Sequence, residues 1–166
     1  NADGEVEQDV SIELPLTAYI PDDYIVNSKE KINVYQKLSS LDNLDYLAEI
    51  RDELLEDYGK MPKEVLNLLR VIELKYFAKR AGLLSVKAES VYLSKGKEIV
   101  LAMSKKVKPE NIMNLLEYNP KWTISGIKLK IKIEDLGSQW FDELKECLKR
   151  LSESIRDVKK SESKKQ

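Results

Sequence analysis

Carboxylates recur at helical spacing in one stretch of the chain, from Leu41 to Pro62. On a helical wheel they gather on the side opposite an apolar arc. The acidic side comprises Asp45, Glu49, Asp52, Glu53 and Glu56, and the apolar arc comprises Leu44, Leu47, Ile50, Leu54, Leu55 and Tyr58. The only basic residue within this predicted helix is Arg51, near the apolar arc. Like-charged pairs at i, i+4 each cost a helix about 0.2–0.5 kcal/mol. The pattern indicates either a solvated acidic face or a docking face for a basic partner.

Side chains suited to other chemistry are scarce. The sequence has no histidine, which removes the commonest general base and the commonest metal ligand. Its 6 glycines are scattered and never form a phosphate-binding loop. Asp22 and Asp23 could be metal ligands, but two aspartates after Pro21 are typical of a turn. We therefore expect no catalytic residue, no cofactor and no metal site, and an enzyme that works through paired carboxylates is kept only as a third class.

A second charged pattern lies further along the chain, where lysines alternate strictly with aliphatic residues. Between Ile127 and Ile133 the pattern predicts a half-buried antiparallel strand. Its outward residues are Lys128, Lys130 and Lys132, and its inward residues are Ile127, Leu129, Ile131 and Ile133. With Lys121 and Trp122 nearby, the lysines suggest an alternative function as a nucleic-acid-binding module. The lysine face lacks the interleaved aromatic residues on which bases stack.

The overall composition is that of an ordinary globular protein. The chain has 166 residues, of which 42% are hydrophobic and 34% charged, and its formal net charge is -1. That charge gives no general attraction to nucleic acids or acidic membranes. No apolar run is long enough to span a bilayer and no secretory signal is found. A single cysteine, Cys147, excludes an internal disulfide and suits a reducing compartment, so we expect a cytoplasmic protein.

The periodicity of apolar residues predicts an α+β fold. It consists of an N-terminal helical hairpin, a central helix packed with a small antiparallel sheet, and a C-terminal helix. Helices are predicted from Asn27 or Ser28 to about Leu41, from Asp42 or Asn43 to Gly59, from Pro62 to Ala81, from Pro109 to Tyr118, and after Gly137. Strands are predicted at Val10–Leu16, Ser85–Leu93, Ile99–Met103 and within Trp122–Ile133. Residues 1–9 are expected to be a disordered lead, residues 10–155 a single domain, and residues 156–166 a charged, frayed tail.

The first two helices carry further local signals. Asn27 with Glu30 at the third helical position predicts a capping box. The inward stripe of the first helix is predicted to comprise Ile32, Tyr35, Leu38 and Leu41. Gly59 and Pro62 mark the end of the acidic helix, because a glycine adopts left-handed backbone angles easily and a proline cannot continue the helix.

Four sequence segments resemble a known family in the same order. The acidic helix carries Glu-Ile-Arg-x-Glu-Leu-x-x-x-Tyr-Gly-x-x-Pro over residues 49–62. Upstream of it stand Ile12-Glu-Leu-Pro15, Ala18-Tyr-Ile-Pro-Asp22 and Lys31-Ile-x-x-Tyr-x-Lys-Leu38. Together they resemble the C-terminal domain of the bacterial transcription-repair coupling factor, Mfd. One departure is Asp57, which stands where the family usually has an arginine.

The resemblance implies a regulatory function without catalysis in this chain. The parent family is an ATP-dependent DNA translocase that displaces stalled RNA polymerase and recruits the excision-repair protein UvrA, with its motor outside this domain. The resemblance also implies that the domain docks on the UvrB-like N-terminal region of the same parent and masks the UvrA-binding surface. The family's docking acids fall on Glu53 and Glu56, where Glu56 replaces an aspartate. On the same face, Glu49 and Asp52 complete the expected partner-docking residues.

Overall fold

The computed structural model describes residues 9–164. The disordered lead expected at residues 1–9 lies outside the described residues except for Asp9. The described residues divide into two compact units: residues 15–76, and residues 77–164 joined by residues 9–14. The single domain expected over residues 10–155 thus contains two units, a division that no linker or change of composition in the sequence marks.

The unit of residues 15–76 is helical. It contains α1 (Ser28–Ser39), α2 (Leu44–Tyr58) and most of α3 (Lys63–Arg80). Asparagine caps begin the first two helices, as predicted: Asn27 Oδ1 accepts from the Glu30 backbone N–H at 3.0 Å, and Asn43 Oδ1 accepts from that of Tyr46 at 2.8 Å. The core that these helices enclose comprises Ile20, Ile25, Leu38, Leu47, Ile50, Leu54, Met61, Val65 and Leu69.

Two predictions about the inward residues of this unit are wrong in detail. Ile32 is 55% exposed and Tyr35 36% exposed, because α1 turns Val34 toward the core in their place, whereas Leu38 and Leu41 face the core as predicted. The Tyr35 hydroxyl accepts a hydrogen bond from the backbone N–H of Ile20 at 2.7 Å. The Tyr35 side chain therefore contacts the backbone of Ile20 and is not buried in the core. Leu55, placed in the apolar arc of α2, is 44% exposed.

The other unit contains a five-stranded sheet in the order β1-β2-β3-β5-β4. Its strands are β1 (Ser11–Glu13), β2 (Leu83–Ser90), β3 (Lys97–Met103), β4 (Thr123–Ser125) and β5 (Lys128–Lys132). All the pairs are antiparallel except β1 with β2, which is parallel. The sheet is therefore mixed, whereas the sequence predicted an antiparallel one. Alternation of side chains reports which face is buried but not the direction of the neighbouring strand.

Two helices accompany the sheet in this unit, α4 (Pro109–Tyr118) and α5 (Trp140–Lys164). They are joined by side chains: Asn111 Nδ2 and Asn114 Nδ2 each donate to Ser154 Oγ at 2.9 Å. Cys147 of α5 is buried, and burial raises the pKa of its thiol to about 12, as expected of a packed thiol. The tail predicted to fray after residue 155 continues as helix to Lys164. Most of that extension is exposed.

The predicted α+β class is confirmed, with five α-helices among residues 9–164. None of the described helices is long and apolar enough to cross a membrane.

Candidate docking surface

The acidic side of α2 is presented to solvent as a single face. Its carboxylates Asp45, Glu49, Asp52, Glu53 and Glu56 are all exposed. On the opposite side of the helix, Leu47, Ile50 and Leu54 are buried. This arrangement follows from the 3.6-residue period of a helix, which separates the two sets of side chains. The structure therefore brings the four predicted docking residues, Glu49, Asp52, Glu53 and Glu56, together on one outward surface.

The C-terminal end of α2 is fixed by tyrosines. The Tyr24 hydroxyl lies within hydrogen-bond distance of the carbonyl oxygens of Leu54 and Gly59, at 3.1 and 2.9 Å. The ring of Tyr24 packs on that of Tyr58 with 5.8 Å between centroids. The Tyr58 hydroxyl in turn donates to the Glu30 carboxylate of α1 at 2.9 Å. Burial, and then the hydrogen bond to Glu30, raises the pKa of Tyr58.

A small cleft lies between α1 and α2, beside the acidic face. It has a volume of about 210 Å³, and its charged lining residues are Glu30, Lys37, Glu53 and Asp57. Three carboxylates against one ammonium group make it a suitable receptor for a basic side chain. Sequence reasoning missed the contribution of Glu30, because that residue comes from α1 and only the packing of the two helices places it beside Glu53.

Glu53 has a partner that the acidic pattern of α2 did not reveal. Lys37 of α1 places its Nζ 3.4 Å from Glu53 Oε2, with side-chain exposures of 47% and 56%. An exposed pair of this kind contributes about 0–1 kcal/mol. A stronger cationic partner can therefore displace Lys37 from Glu53 at little cost.

The alternative site, the lysine face of β5, is only partly as predicted. Lys128 and Lys132 are exposed and Lys130 is half-buried, while Leu129 and Ile131 are buried. Ile127 was predicted to point inward but is 63% exposed, because it lies in the turn before β5, after Gly126 at φ 60°. Strand β5 lies between β3 and β4, and Lys132 stands opposite Glu98. The face therefore carries both signs of charge.

The two aspartates considered as metal ligands lie before α1. The Asp22 carboxylate pairs with Lys31 Nζ, and this hydrogen bond lowers the pKa of Asp22. Asp22 and Asp23 lie in a turn, as the sequence indicated. Within residues 9–164, no three cysteine or carboxylate side chains converge in an arrangement that could hold a metal ion.

Together the elements of residues 9–164 define an α+β domain with five α-helices and a mixed five-stranded sheet. The TRCF domain family matches residues 14–112, and the chain belongs to this family. It is 31% identical over 156 residues to the transcription-repair-coupling factor of Staphylococcus aureus strain USA300, and 32% identical over 155 residues to that of Staphylococcus haemolyticus. Each alignment covers 89% of this chain but 13% of the relative.

The fold has a solved counterpart. A crystal structure of the C-terminal domain of transcription-repair coupling factor matches with a TM-score of 0.73 and 23% sequence identity, covering 93% of this chain and 96% of that one. The resemblance inferred from the sequence motifs is thus confirmed in both sequence and fold.

Proposed function

We propose that this chain is the non-catalytic, autoinhibitory domain of a transcription-repair coupling factor. The parent is an ATP-dependent DNA translocase of the cytoplasm that displaces stalled RNA polymerase and recruits UvrA. The acidic face of α2 docks on the UvrB-like N-terminal region of the same parent and masks the surface that binds UvrA. This chain contributes the docking contact and needs no cofactor for it.

The observation that carries the proposal is the outward, anchored presentation of Glu53 and Glu56 on α2. Their helix is held by a buried apolar side and by the Tyr24 and Tyr58 contacts at its end. The surface is therefore preorganised, so binding of a partner does not carry the free-energy cost of ordering it. Family membership supports the assignment of that surface to an intramolecular contact.

Asp57 modifies the docking surface in this chain. Where the family usually has an arginine, this chain places a carboxylate in the cleft beside Glu53. The partner surface should therefore carry at least one more cationic side chain than in relatives that have the arginine. An Asp57→Arg variant would return the family's charge to this position.

The test is UvrA binding by the full-length coupling factor with Glu53→Lys and Glu56→Lys. Breaking charge pairs at an interface costs about 2–5 kcal/mol when the partner group stays buried, and each ~1.4 kcal/mol changes a population tenfold. UvrA affinity should therefore rise by at least roughly tenfold. The matched control reverses two exposed carboxylates of the other unit, Glu117→Lys and Glu162→Lys, and should leave UvrA affinity unchanged.

Two outcomes would contradict the proposal. One is unchanged UvrA affinity in the Glu53→Lys, Glu56→Lys protein while circular dichroism shows the domain folded. The other is an equal rise in the control protein, which would assign the effect to net charge rather than to the α2 face.

A further inference from the structure

A second surface of the helical unit lies between α2 and α3. It is a groove of about 630 Å³, and all of its lining residues come from these two helices. From α2 they are Leu44, Leu47, Ala48 and Arg51, and from α3 they are Lys63, Leu66, Asn67, Leu69, Arg70 and Glu73. None of the four docking acids lines it, so the groove is distinct from the acidic face.

The lining residues follow helical spacing on both walls. On α2 they recur at i, i+3, i+4 and i+7 from Leu44, and on α3 the same steps begin at Lys63. Such a pattern is one continuous face of a helix. Leu47 and Leu69 are buried at 8% and 7% exposure and form the floor, while Leu66 is 44% exposed. The groove thus offers an apolar trough with an exposed leucine on one wall.

The charges around this trough are mainly basic. Arg51, Lys63 and Arg70 line the groove together with a single carboxylate, that of Glu73. Arg51 approaches its sequence neighbour Asp52, with Nε 3.7 Å from Oδ1 and an exposed side chain. Because a guanidinium group has five N–H donors, Arg51 keeps donors for a further acceptor. Arg70 and Glu73 also engage in other interactions of the fold.

From this geometry we propose that the groove is a docking site for an acidic amphipathic helix of a partner polypeptide. An apolar trough between two helices receives the apolar stripe of a third helix, with anchors at i, i+3 or i+4, and i+7. The span from Leu44 to Arg51 corresponds to about 10 Å along a helix axis, or two turns. Carboxylates flanking the partner's apolar stripe would then meet Arg51 and Lys63.

Other occupants fit the groove less well. The lining has no aromatic residue on which a base could stack, which disfavours single-stranded nucleic acid. A second copy of this chain could offer its acidic helix α2, but the apolar side of that helix, with Leu47, Ile50 and Leu54, is buried in its own core. A basic helix would be repelled by Arg51 and Lys63.

The test uses the 166-residue chain and a synthetic peptide probe. The probe is a helix-forming peptide of about 15 residues with leucines at i, i+4 and i+7 and glutamates on both flanks. A partner peptide replaces every glutamate by lysine. Binding is followed by fluorescence anisotropy, and the contact site by chemical-shift changes in the isotope-labelled chain. The acidic peptide should bind saturably and perturb Ala48 and Leu66, whereas the lysine peptide should not bind.

Matched variants assign the binding to the groove. Leu66→Gln should weaken the acidic peptide roughly tenfold, while Leu55→Gln, with the same 44% exposure outside the groove, should not. Arg51→Glu with Lys63→Glu should also weaken it roughly tenfold, while Lys29→Glu with Lys60→Glu makes the same change of net charge outside the groove and should have at most a small effect. Circular dichroism checks that each variant is folded.

Three results would overturn the proposal. They are no saturable binding at about 1 mM peptide, equal binding of the acidic and lysine peptides, and equal effects of Leu66→Gln and Leu55→Gln. Self-association of the chain in sedimentation, abolished by Leu66→Gln, would instead assign the groove to a second copy. The proposal is independent of the acidic face, so its failure leaves the proposed autoinhibitory function standing.

Discussion

Lys37 Nζ lies 3.4 Å from Glu53 Oε2 and joins α1 to the acidic face of α2. Nothing in the sequence indicates that Lys37 of α1 and Glu53 of α2 would meet. The pair lies on the surface proposed for docking. Because both side chains are about half exposed, the pair is a weak contact that an interface can replace.

The first prediction concerns the isolated chain with Glu53→Lys and Glu56→Lys. The substitutions relieve repulsion among the carboxylates of α2 but place a second ammonium group beside Lys37, and each effect amounts to tenths of a kcal/mol. The free energy of unfolding should change by less than about 1 kcal/mol, which corresponds to a Tm shift of only a few degrees. Thermal denaturation measures it. A fall of several kcal/mol would show that the acidic face stabilises the fold itself.

The second prediction concerns alkaline pH and Tyr58. Its pKa in the folded chain is raised from 10.0 by burial and by Glu30, so the folded state holds the phenolic proton more tightly than the unfolded state does. The resulting stabilisation is fully present below about pH 10 and is lost as pH rises through the folded pKa. Tyr58→Phe should weaken the pH dependence above about pH 10 and cost about 1 kcal/mol at neutral pH through the lost hydrogen bond. Urea denaturation at several pH values tests both parts. An unchanged alkaline slope in Tyr58→Phe would contradict the assignment.

The third prediction concerns Gly82, which follows α3 at φ 71°. A Cβ there would lie 3.0 Å from Lys106 Cβ and 3.3 Å from Val107 Cγ2. Gly82→Ala therefore adds a steric clash to backbone strain and should destabilise the chain by about 2–3 kcal/mol. Gly126→Ala is the control, since Gly126 also has a positive φ but an added Cβ meets nothing within 4 Å. It should cost about 1 kcal/mol. Equal losses in the two variants would mean that crowding at Gly82 is relieved by movement of the neighbours.

The fourth prediction concerns the lysine face of β5. Glu98 of the neighbouring β3 stands opposite Lys132. The Glu98 carboxylate reduces the attraction of the lysine face to phosphates, so the chain should show no specific binding of duplex DNA at physiological salt. Changing Lys128, Lys130 and Lys132 to serine should then leave any residual binding unchanged. Micromolar binding that disappears in the triple variant would establish the nucleic-acid alternative.

Local signals in the sequence were sufficient for most element boundaries. Asn27 and Asn43 cap their helices as predicted, and Gly59 and Gly82 end theirs with positive φ. Caps and turns depend on residues within a few positions of one another, so they can be predicted directly from the sequence. Of the predicted capping box, the Asn27 side chain accepts from the Glu30 backbone N–H, while the Glu30 carboxylate accepts from the Tyr58 hydroxyl.

Contacts between segments that lie far apart in the sequence could not be predicted from such local signals. The parallel pairing of β1 with β2 joins residues such as Ile12 and Val86, and the exposure of Ile32 and Leu55 depends on which neighbours cover α1 and α2. A helical wheel shows that one side is apolar but not how wide a sector the neighbouring elements cover.

The sequence by itself determined the α+β class, the family and the acidic character of α2, because periodicity, caps and motifs are properties of short segments. Only the tertiary structure decided that Glu30 and Lys37 stand beside Glu53, and that Arg51 and Lys63 flank one apolar groove. These residues are brought together by the burial of Leu47, Ile50 and Leu69 in a shared core. Hydrophobic burial is non-directional and favours any removal of apolar surface from water. The sequence of a single segment therefore does not show which charged side chains will meet at the surface.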